Sequence, residues 1–180
     1  MAKKKKTGLI IVYTGDGKGK TTAAMGMALR GVGHGHKILM IQFIKGSWKS
    51  GELEAVKRLY PYFEILPMGK GFIYPTEGRG PTSEDMMAIN NAWAFFVEKL
   101  NSNEYDTIIL DEINNVIHYN LLDINKVLGA LTHKPEGLNI VLTGRGAHKK
   151  IIYMADLVTE MKEVKHPYQK GVSAQKGIEY

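Results

Sequence analysis

The sequence contains no cysteine and no long apolar run, and each absence narrows what the chain can be. Without cysteine there are no disulfides and no thiolate metal sites, as expected of a protein in a reducing compartment. No apolar run approaches the roughly 20 residues that span a bilayer, and the N-terminal lysines are not followed by the apolar stretch of a signal peptide. We therefore expect a cytoplasmic protein without a membrane partner.

Length and charge narrow the choice further. The chain has 180 residues, of which 44% are apolar, and this suits one buried α/β core better than two domains. We predict a basic, disordered tail over residues 1–7 and a single domain over residues 8–180. The net charge of +6 favours polyanionic partners such as nucleotide triphosphates, nucleic acid or membrane surfaces, and composition does not choose among them.

A glycine-rich loop lies between an apolar run at 9–13 and a small-residue helical pattern at 23–29. Glycines in such a loop let backbone N–H groups turn inward around an anion. Lys20 can reach phosphate oxygens, and the hydroxyl of Thr21 can bind a Mg²⁺ ion that bridges them. The order of strand, loop, Lys-Thr and helix therefore predicts a phosphate-binding loop.

This loop departs from the usual spelling, G-x-x-x-x-G-K-[ST], because Thr14 stands where the first glycine should be. A β-branched residue resists positive φ. We therefore expect the loop to turn differently and to hold its polyphosphate in another register.

Apolar runs and amphipathic patterns alternate along the rest of the chain. The runs predict further strands at 37–43, 62–66, 107–112, 139–143 and 157–161, and the patterns predict helices at 52–60, 83–100, 123–134 and 151–155. This alternation predicts an α/β fold with a mostly parallel six-stranded sheet flanked by helices.

The strand at 107–112 ends in two acids, Asp111 and Glu112, after four apolar or β-branched residues. In phosphate-loop folds such a strand end lies beside the loop, where a carboxylate holds Mg²⁺ directly or through water. Together with Lys20 and Thr21, the two acids predict a metal site.

Three further loops follow strand ends, where open α/β sheets bind ligands. Lys45 and Trp48 either face the site or belong to a surface loop, and Arg145 either contacts nucleotide or is exposed in a glycine turn. The glycine-rich, aromatic stretch at 67–81 is either a binding element or lid, or a surface loop. The residue pattern alone leaves these alternatives open.

Several blocks in order resemble the P-loop ATP:corrinoid adenosyltransferases, from about Gly8 to Tyr180. The blocks are Thr14–Ala24, Gly33–Gly35, Gln42–Gly46, Gly71-Phe72, Leu110–Glu112, Thr143–Gly146, Lys165-His166, and Gly171-Val172 with Gly177–Tyr180. The resemblance implies a P-loop NTPase, RecA-like architecture. It also implies transfer of the 5′-deoxyadenosyl group of ATP to the cobalt of cob(I)alamin or a corrinoid precursor, with release of triphosphate.

The resemblance assigns roles to individual residues. Lys20 is a catalytic residue, and Arg145 contacts the nucleoside end of an ATP whose phosphates are reversed relative to kinases. Thr21, Glu112 and Asp111 form the site of Mg²⁺ or Mn²⁺. The remaining ATP-binding positions are Gly15, Asp16, Gly17, Lys18, Gly19 and Thr22.

The family also helps reduction of cob(II) by excluding the lower axial cobalt ligand with aromatic side chains, and Phe72 and Tyr74 occupy those positions. The second position is commonly Trp in the family. A flavoprotein electron donor and a homodimer are further implications of the resemblance.

Two other functions compete with this one. A P-loop ATPase or kinase is possible because Glu112 could polarise water, and a RecA-like nucleic-acid binder is possible because the chain is basic. Thr14 and the Gly-Phe-x-Tyr stretch at 71–74 argue against the first. We do not expect nucleic acid to be the partner, because four lysines at 3–6 are more typical of a solvated chain end.

Overall fold

The computed structural model describes residues 7–46, 50–71 and 80–179. Its strands are β1 (Ile10–Thr14), β2 (Ile38–Gln42), β3 (Phe63–Pro67), β4 (Thr107–Asp111), β5 (Asn139–Thr143) and β6 (Leu157–Glu160). Its α-helices are α1 (Lys20–Val32), α2 (Gly51–Val56), α3 (Ser83–Leu100), α4 (Ile113–His118), α5 (Ile124–Thr132) and α6 (Lys149–Met154). Two short 3-10 helices cover Lys57–Leu59 and Pro167–Lys170.

The strands form one six-stranded sheet in the order β3-β2-β4-β5-β1-β6. Every pair of neighbouring strands runs parallel, so the predicted α/β fold with a mostly parallel sheet is confirmed. Parallel strands bring their carboxyl ends to one edge of the sheet. The loops after β1, β5, β4 and β2 therefore meet there, although they are far apart in sequence.

Both faces of the sheet are buried at its central strands, as is typical of parallel sheets, whereas the edge strand β6 is exposed at every residue. On one face, Ile89 and Phe96 of α3 and Val127 of α5 join a large apolar cluster. On the other face, α1 packs through Ala24 and Ala28, whose small side chains let the helix lie close to the strands.

The bounds of two predicted helices can be compared with the structure. A capping box opens α3, where the Thr82 side chain accepts from the Asp85 N–H and the Asp85 carboxylate accepts from the Thr82 N–H. The helix predicted over 52–60 is instead α2 followed by the 3-10 helix at Lys57–Leu59. No helix in the described ranges is both long and apolar enough to cross a membrane.

Candidate active site

The phosphate-binding loop joins β1 to α1 and turns at glycines. Thr14 belongs to β1, and the left-handed backbone falls one residue later at Gly15, with φ of 94°, and again at Gly19, with φ of 108°. Thr14 itself therefore does not adopt the positive φ that its β-branched side chain would resist. The Thr14 hydroxyl oxygen accepts the N–H of Ala147 at 3.2 Å, so the residue at the missing glycine position ties β1 to the segment after β5.

Two of the loop glycines face the segment that follows β6. A Cβ atom on Gly15 would lie 2.4 Å from the Met161 carbonyl oxygen, and one on Gly17 would lie 2.8 Å from both that oxygen and the Lys162 carbonyl carbon. The Gly17 N–H donates to the same Met161 oxygen at 2.7 Å. These positions therefore require glycine because another part of the chain packs against them, which local sequence does not signal.

Lys20 lies at the centre of the loop. Its ammonium donates to the carbonyl oxygens of Gly15 and Gly17, each at 2.7 Å, and its side chain is buried. Burial lowers its pKa, the charges of Glu112 and Asp16 oppose this effect, and Arg145 adds to it. The loop thus holds a cation where a phosphate bound in its concave side would meet it.

Asp111 connects the loop to the centre of the sheet. This carboxylate is fully buried and accepts hydrogen bonds from the hydroxyls of Thr21 at 2.8 Å and Thr143 at 2.7 Å. The side-chain amide of Gln42 donates to its other oxygen at 3.2 Å. Three strands and α1 therefore meet at one carboxylate.

Glu112 stands next to this network at the start of α4. Its backbone is left-handed, with φ of 66°, and its N–H donates to the Thr143 hydroxyl oxygen at 2.9 Å. Burial and the neighbouring charge of Asp111 raise its pKa to about 7, although Lys20, Lys45 and Arg145 favour the ionised form. A non-glycine residue in this conformation is typical of functional sites.

An open cleft of about 380 Å³ lies above these residues, within the size range of ligand sites. It brings together residues from the loops after β1, β2, β4 and β5. Its lining residues are Asp16, Gly17, Lys18, Lys20, Ile44, Lys45, Glu112, Asn115, Tyr119, Arg145 and His166.

Most of the site residues predicted from sequence are in or beside this cleft. Thr21 and Asp111 are hydrogen-bonded to each other and follow or precede the lining residues Lys20 and Glu112 in sequence, but neither they nor the exposed Thr22 are among the lining residues. Lys45 lines the cleft, so of the two alternatives for this residue, facing the site or belonging to a surface loop, the structure supports the first. Phe72 and Tyr74 lie outside the described residues, as does Trp48.

Arg145 is held by α4, a helix that the sequence analysis missed. Gly144 and Gly146 flank it with φ of 121° and 63°, and its N–H donates to the Asn115 side-chain oxygen at 2.6 Å. Asn115 itself lines the cleft. Only one residue separates α4 from β4, and Asn114 and Asn115 interrupt its apolar residues, so no apolar pattern marks it in the sequence.

The donor set fits a hard divalent cation. Because the Thr21 hydroxyl gives its proton to Asp111, its lone pairs are left for a metal, and the Glu112 carboxylate lies in the same cleft. Asp111 already accepts three hydrogen bonds, so it suits orienting Thr21 better than binding a cation directly. In the described ranges no cluster of three or more His, Cys, Asp or Glu could hold a metal, so a cation here would need oxygens from its ligand.

Comparison with known proteins gives one family. Residues 6–180 match the family model of the ATP:corrinoid adenosyltransferases BtuR/CobO/CobP. A corrinoid adenosyltransferase of Escherichia coli (strain K12) is 40% identical over 173 residues, which are 96% of this chain and 86% of that protein. The corrinoid adenosyltransferase CobA of Salmonella typhimurium (strain LT2) has the same identity and coverage.

A likeness to a solved structure supports the fold. The flagellar accessory protein FlaH of Methanocaldococcus jannaschii superposes with a TM-score of 0.53 at 14% identity, over 86% of this chain and 71% of that chain. At this identity the likeness concerns the fold alone. The predicted P-loop, RecA-like architecture is confirmed.

Proposed function

The chain belongs to the ATP:corrinoid adenosyltransferase family, and we propose from this premise that the cleft binds ATP with its triphosphate against Lys20. The activity is ATP-dependent adenosylation of corrinoids, and neither an ATPase or kinase nor a nucleic-acid binder is favoured over it. One observation carries the assignment of the site: Lys20, Glu112 and Arg145 line one cleft from different elements, and their sequence neighbours Thr21 and Asp111 are hydrogen-bonded to each other.

The proposed reaction is a displacement at C5′ of ATP. The electron pair of a cob(I) substrate forms the cobalt–carbon bond, the C5′–oxygen bond breaks, and its electron pair leaves with inorganic triphosphate. Cob(I) is a strong nucleophile, so the protein needs no activated serine and no general base. It has to align C5′ with cobalt and to neutralise charge on the leaving group.

Lys20 and the loop serve the leaving group. The Lys20 ammonium is already fixed at two loop carbonyls, and α1 begins at this residue, so the positive end of the helix dipole adds to the lysine charge. The loop residues Gly15, Asp16, Gly17, Lys18, Gly19 and Thr22 are proposed to surround the phosphates.

Mg²⁺, or Mn²⁺ in its place, is proposed at Thr21 and Glu112, with Asp111 orienting the Thr21 hydroxyl. Such an ion supplies positive charge to the triphosphate. The raised pKa of Glu112 supports this role, because a carboxylate that is costly to ionise in a buried place gains from a divalent cation beside it.

Arg145 is proposed to contact the nucleoside end of ATP. Phe72 and Tyr74, which follow β3, are proposed to exclude the lower axial ligand of cobalt during reduction by a flavoprotein. A homodimer and a cytoplasmic location complete the proposal.

The test is an anaerobic assay of the purified protein with MgATP and chemically reduced cob(I)alamin. We expect light-sensitive adenosylcobalamin and inorganic triphosphate in equal amounts. The corrinoid spectrum detects the first product, and phosphate analysis detects the second. ADP without adenosylcobalamin would instead indicate an ordinary phosphoryl-transfer site.

A further inference from the structure

A lysine from outside the phosphate-binding loop also lines the cleft. Lys45 follows β2, and its ammonium lies 3.2 Å from a carboxylate oxygen of Glu52 in α2. Because β4 separates β2 from β5 and β1 in the sheet, Lys45 and Lys20 reach the cleft from opposite sides of Glu112. The phosphate-loop motif does not include this residue.

The Lys45–Glu52 pair differs from an ordinary surface ion pair. Its side chains are 29% and 18% exposed, whereas those of the nearby Lys57–Glu54 pair are 68% and 73% exposed. A partly desolvated pair is seldom retained for stability, because removing two charges from water offsets most of their attraction. The position of Lys45 on an anion-binding cleft supplies a reason to keep the pair.

Glu52 is suited to hold this lysine. Burial acts to raise its pKa, but its own backbone N–H and the Lys45 charge outweigh burial and hold the pKa below its usual value. Glu52 therefore stays ionised and restrains the Lys45 ammonium. That ammonium has three N–H groups and donates one of them to Glu52 in the described contacts, so N–H groups remain for a ligand.

The backbone under Lys45 is fixed by the segment that precedes Phe72. The Lys45 carbonyl oxygen accepts the Gly69 N–H at 3.1 Å, and the Ile44 carbonyl oxygen accepts the Gly71 N–H at 2.9 Å. A Cβ atom on Gly69 would lie 2.2 Å from the Ile44 oxygen, so this close approach requires glycine. Lys45 is thus anchored from below while its side chain enters the cleft.

We propose that Lys45 is a further triphosphate-binding residue for the adenosyl transfer, outside the phosphate-binding loop and at the side of the cleft opposite Lys20, and that Glu52 is its positioning residue. The inference rests on the proposed binding of ATP in this cleft. As the C5′–oxygen bond breaks, negative charge grows on the departing triphosphate. An ammonium fixed beforehand stabilises that charge without reorganising during the reaction.

The test compares Lys45→Met with Lys45→Arg, Glu52→Gln and the matched control Lys57→Met, which removes the lysine of the exposed pair. Two quantities are measured: the dissociation constant of inorganic tripolyphosphate by calorimetry, and kcat and KM for ATP in the anaerobic assay. Losing a hydrogen bond to a charged group corresponds to about a 10- to 100-fold change.

We expect Lys45→Met to weaken tripolyphosphate binding about 10-fold and to lower kcat/KM by about 10- to 100-fold. Lys45→Arg should retain most of the tripolyphosphate affinity and most of kcat/KM, because arginine keeps the positive charge. Glu52→Gln should raise KM by a few-fold with a smaller change in kcat, since the lysine keeps its charge and loses its restraint. Lys57→Met should stay within about twofold of the wild type.

An unchanged tripolyphosphate dissociation constant in Lys45→Met, with a wild-type melting temperature, would overturn the inference. If Lys45→Met loses its fold, the Lys45→Arg and Glu52→Gln results decide the matter, because each keeps the size of its side chain close to the original. A wild-type protein that binds no tripolyphosphate and makes no adenosylcobalamin would instead overturn the proposed function itself.

Discussion

The two edges of the sheet use the same kinds of polar residues in different ways. At the amino edge, polar side chains bond to backbone groups: the Lys134 ammonium donates to the carbonyls of Gly8 at 2.6 Å and Leu138 at 3.0 Å, and Asp106 accepts the Lys37 N–H at 2.9 Å. At the carboxyl edge, the hydroxyls of Thr21 and Thr143 donate to a side chain, the buried carboxylate of Asp111.

Polar side chains at the amino edge stabilise the fold, whereas those at the carboxyl edge form the candidate active site. At the amino edge, a side chain that bonds to backbone satisfies a group that would otherwise be left open at the end of a strand. Lys20 also bonds to backbone carbonyls, but those carbonyls belong to the phosphate-binding loop and the lysine lines the cleft. Side chains that bond to one another hold each other in place and leave lone pairs and N–H groups facing the cleft. Substitutions at the two edges should therefore separate activity from stability.

The largest expected effect is that of Lys20→Ala at the carboxyl edge. It removes the ammonium that faces the leaving group, so we expect kcat/KM for ATP to fall by about 10³-fold or more. The melting temperature should fall by only a few degrees, because the two carbonyl contacts of the ammonium account for about 1–2 kcal/mol, which is too little to explain the fall in activity. Circular dichroism on heating measures the melting temperature, and the anaerobic assay measures kcat/KM. Near-normal transfer by this variant would contradict the role given to Lys20.

Asp111→Asn tests the network that orients Thr21. The substitution keeps the shape of the side chain but removes its charge, and an amide donor comes to face the Gln42 amide. We expect about a 10²-fold lower kcat/KM and a higher Mg²⁺ concentration for half-maximal activity. A titration of activity with Mg²⁺ measures this. An unchanged Mg²⁺ requirement would show that Asp111 does not act through the metal site.

Gly17→Ala tests the packing of the loop against the segment after β6. Its Cβ atom would lie 2.8 Å from backbone atoms of Met161 and Lys162, so the loop has to shift. We expect about 10-fold weaker tripolyphosphate binding, measured by calorimetry. Gly26→Ala is the control, because a Cβ atom there meets nothing within 4 Å. Gly26 lies inside α1, where alanine has a higher helix propensity than glycine. Gly26→Ala should therefore leave tripolyphosphate binding unchanged and raise the free energy of unfolding by up to about 1 kcal/mol.

The smallest effect on activity is expected from Lys134→Met at the amino edge. This variant loses both carbonyl contacts of the ammonium, so we expect a loss of about 1–2 kcal/mol in the free energy of unfolding. The kinetics should remain within about twofold of the wild type. Urea unfolding alongside the anaerobic assay gives both values. A loss of activity without a loss of stability would remove the contrast between the two edges.

Much of the fold could be predicted from sequence, because the signals are local. Apolar runs marked the six strands of the sheet, and the Gly-rich turn before Lys20 and Thr21 marked the phosphate loop. The strand ending in Asp111 and Glu112 was also recognisable, since acids at the end of a buried run are unusual. Helix α4 was missed, because only one residue separates it from β4 and two asparagines interrupt its apolar residues.

The roles of several residues depend on contacts between distant parts of the chain. The strands, the phosphate loop and the acidic strand end can be predicted from local sequence, because each depends on neighbouring residues. In contrast, local sequence does not predict that Gly15 and Gly17 face Met161, that Asp111 joins four elements, or that Lys45 shares a cleft with Lys20. Those placements follow from the order of the strands in the sheet, which no local pattern encodes.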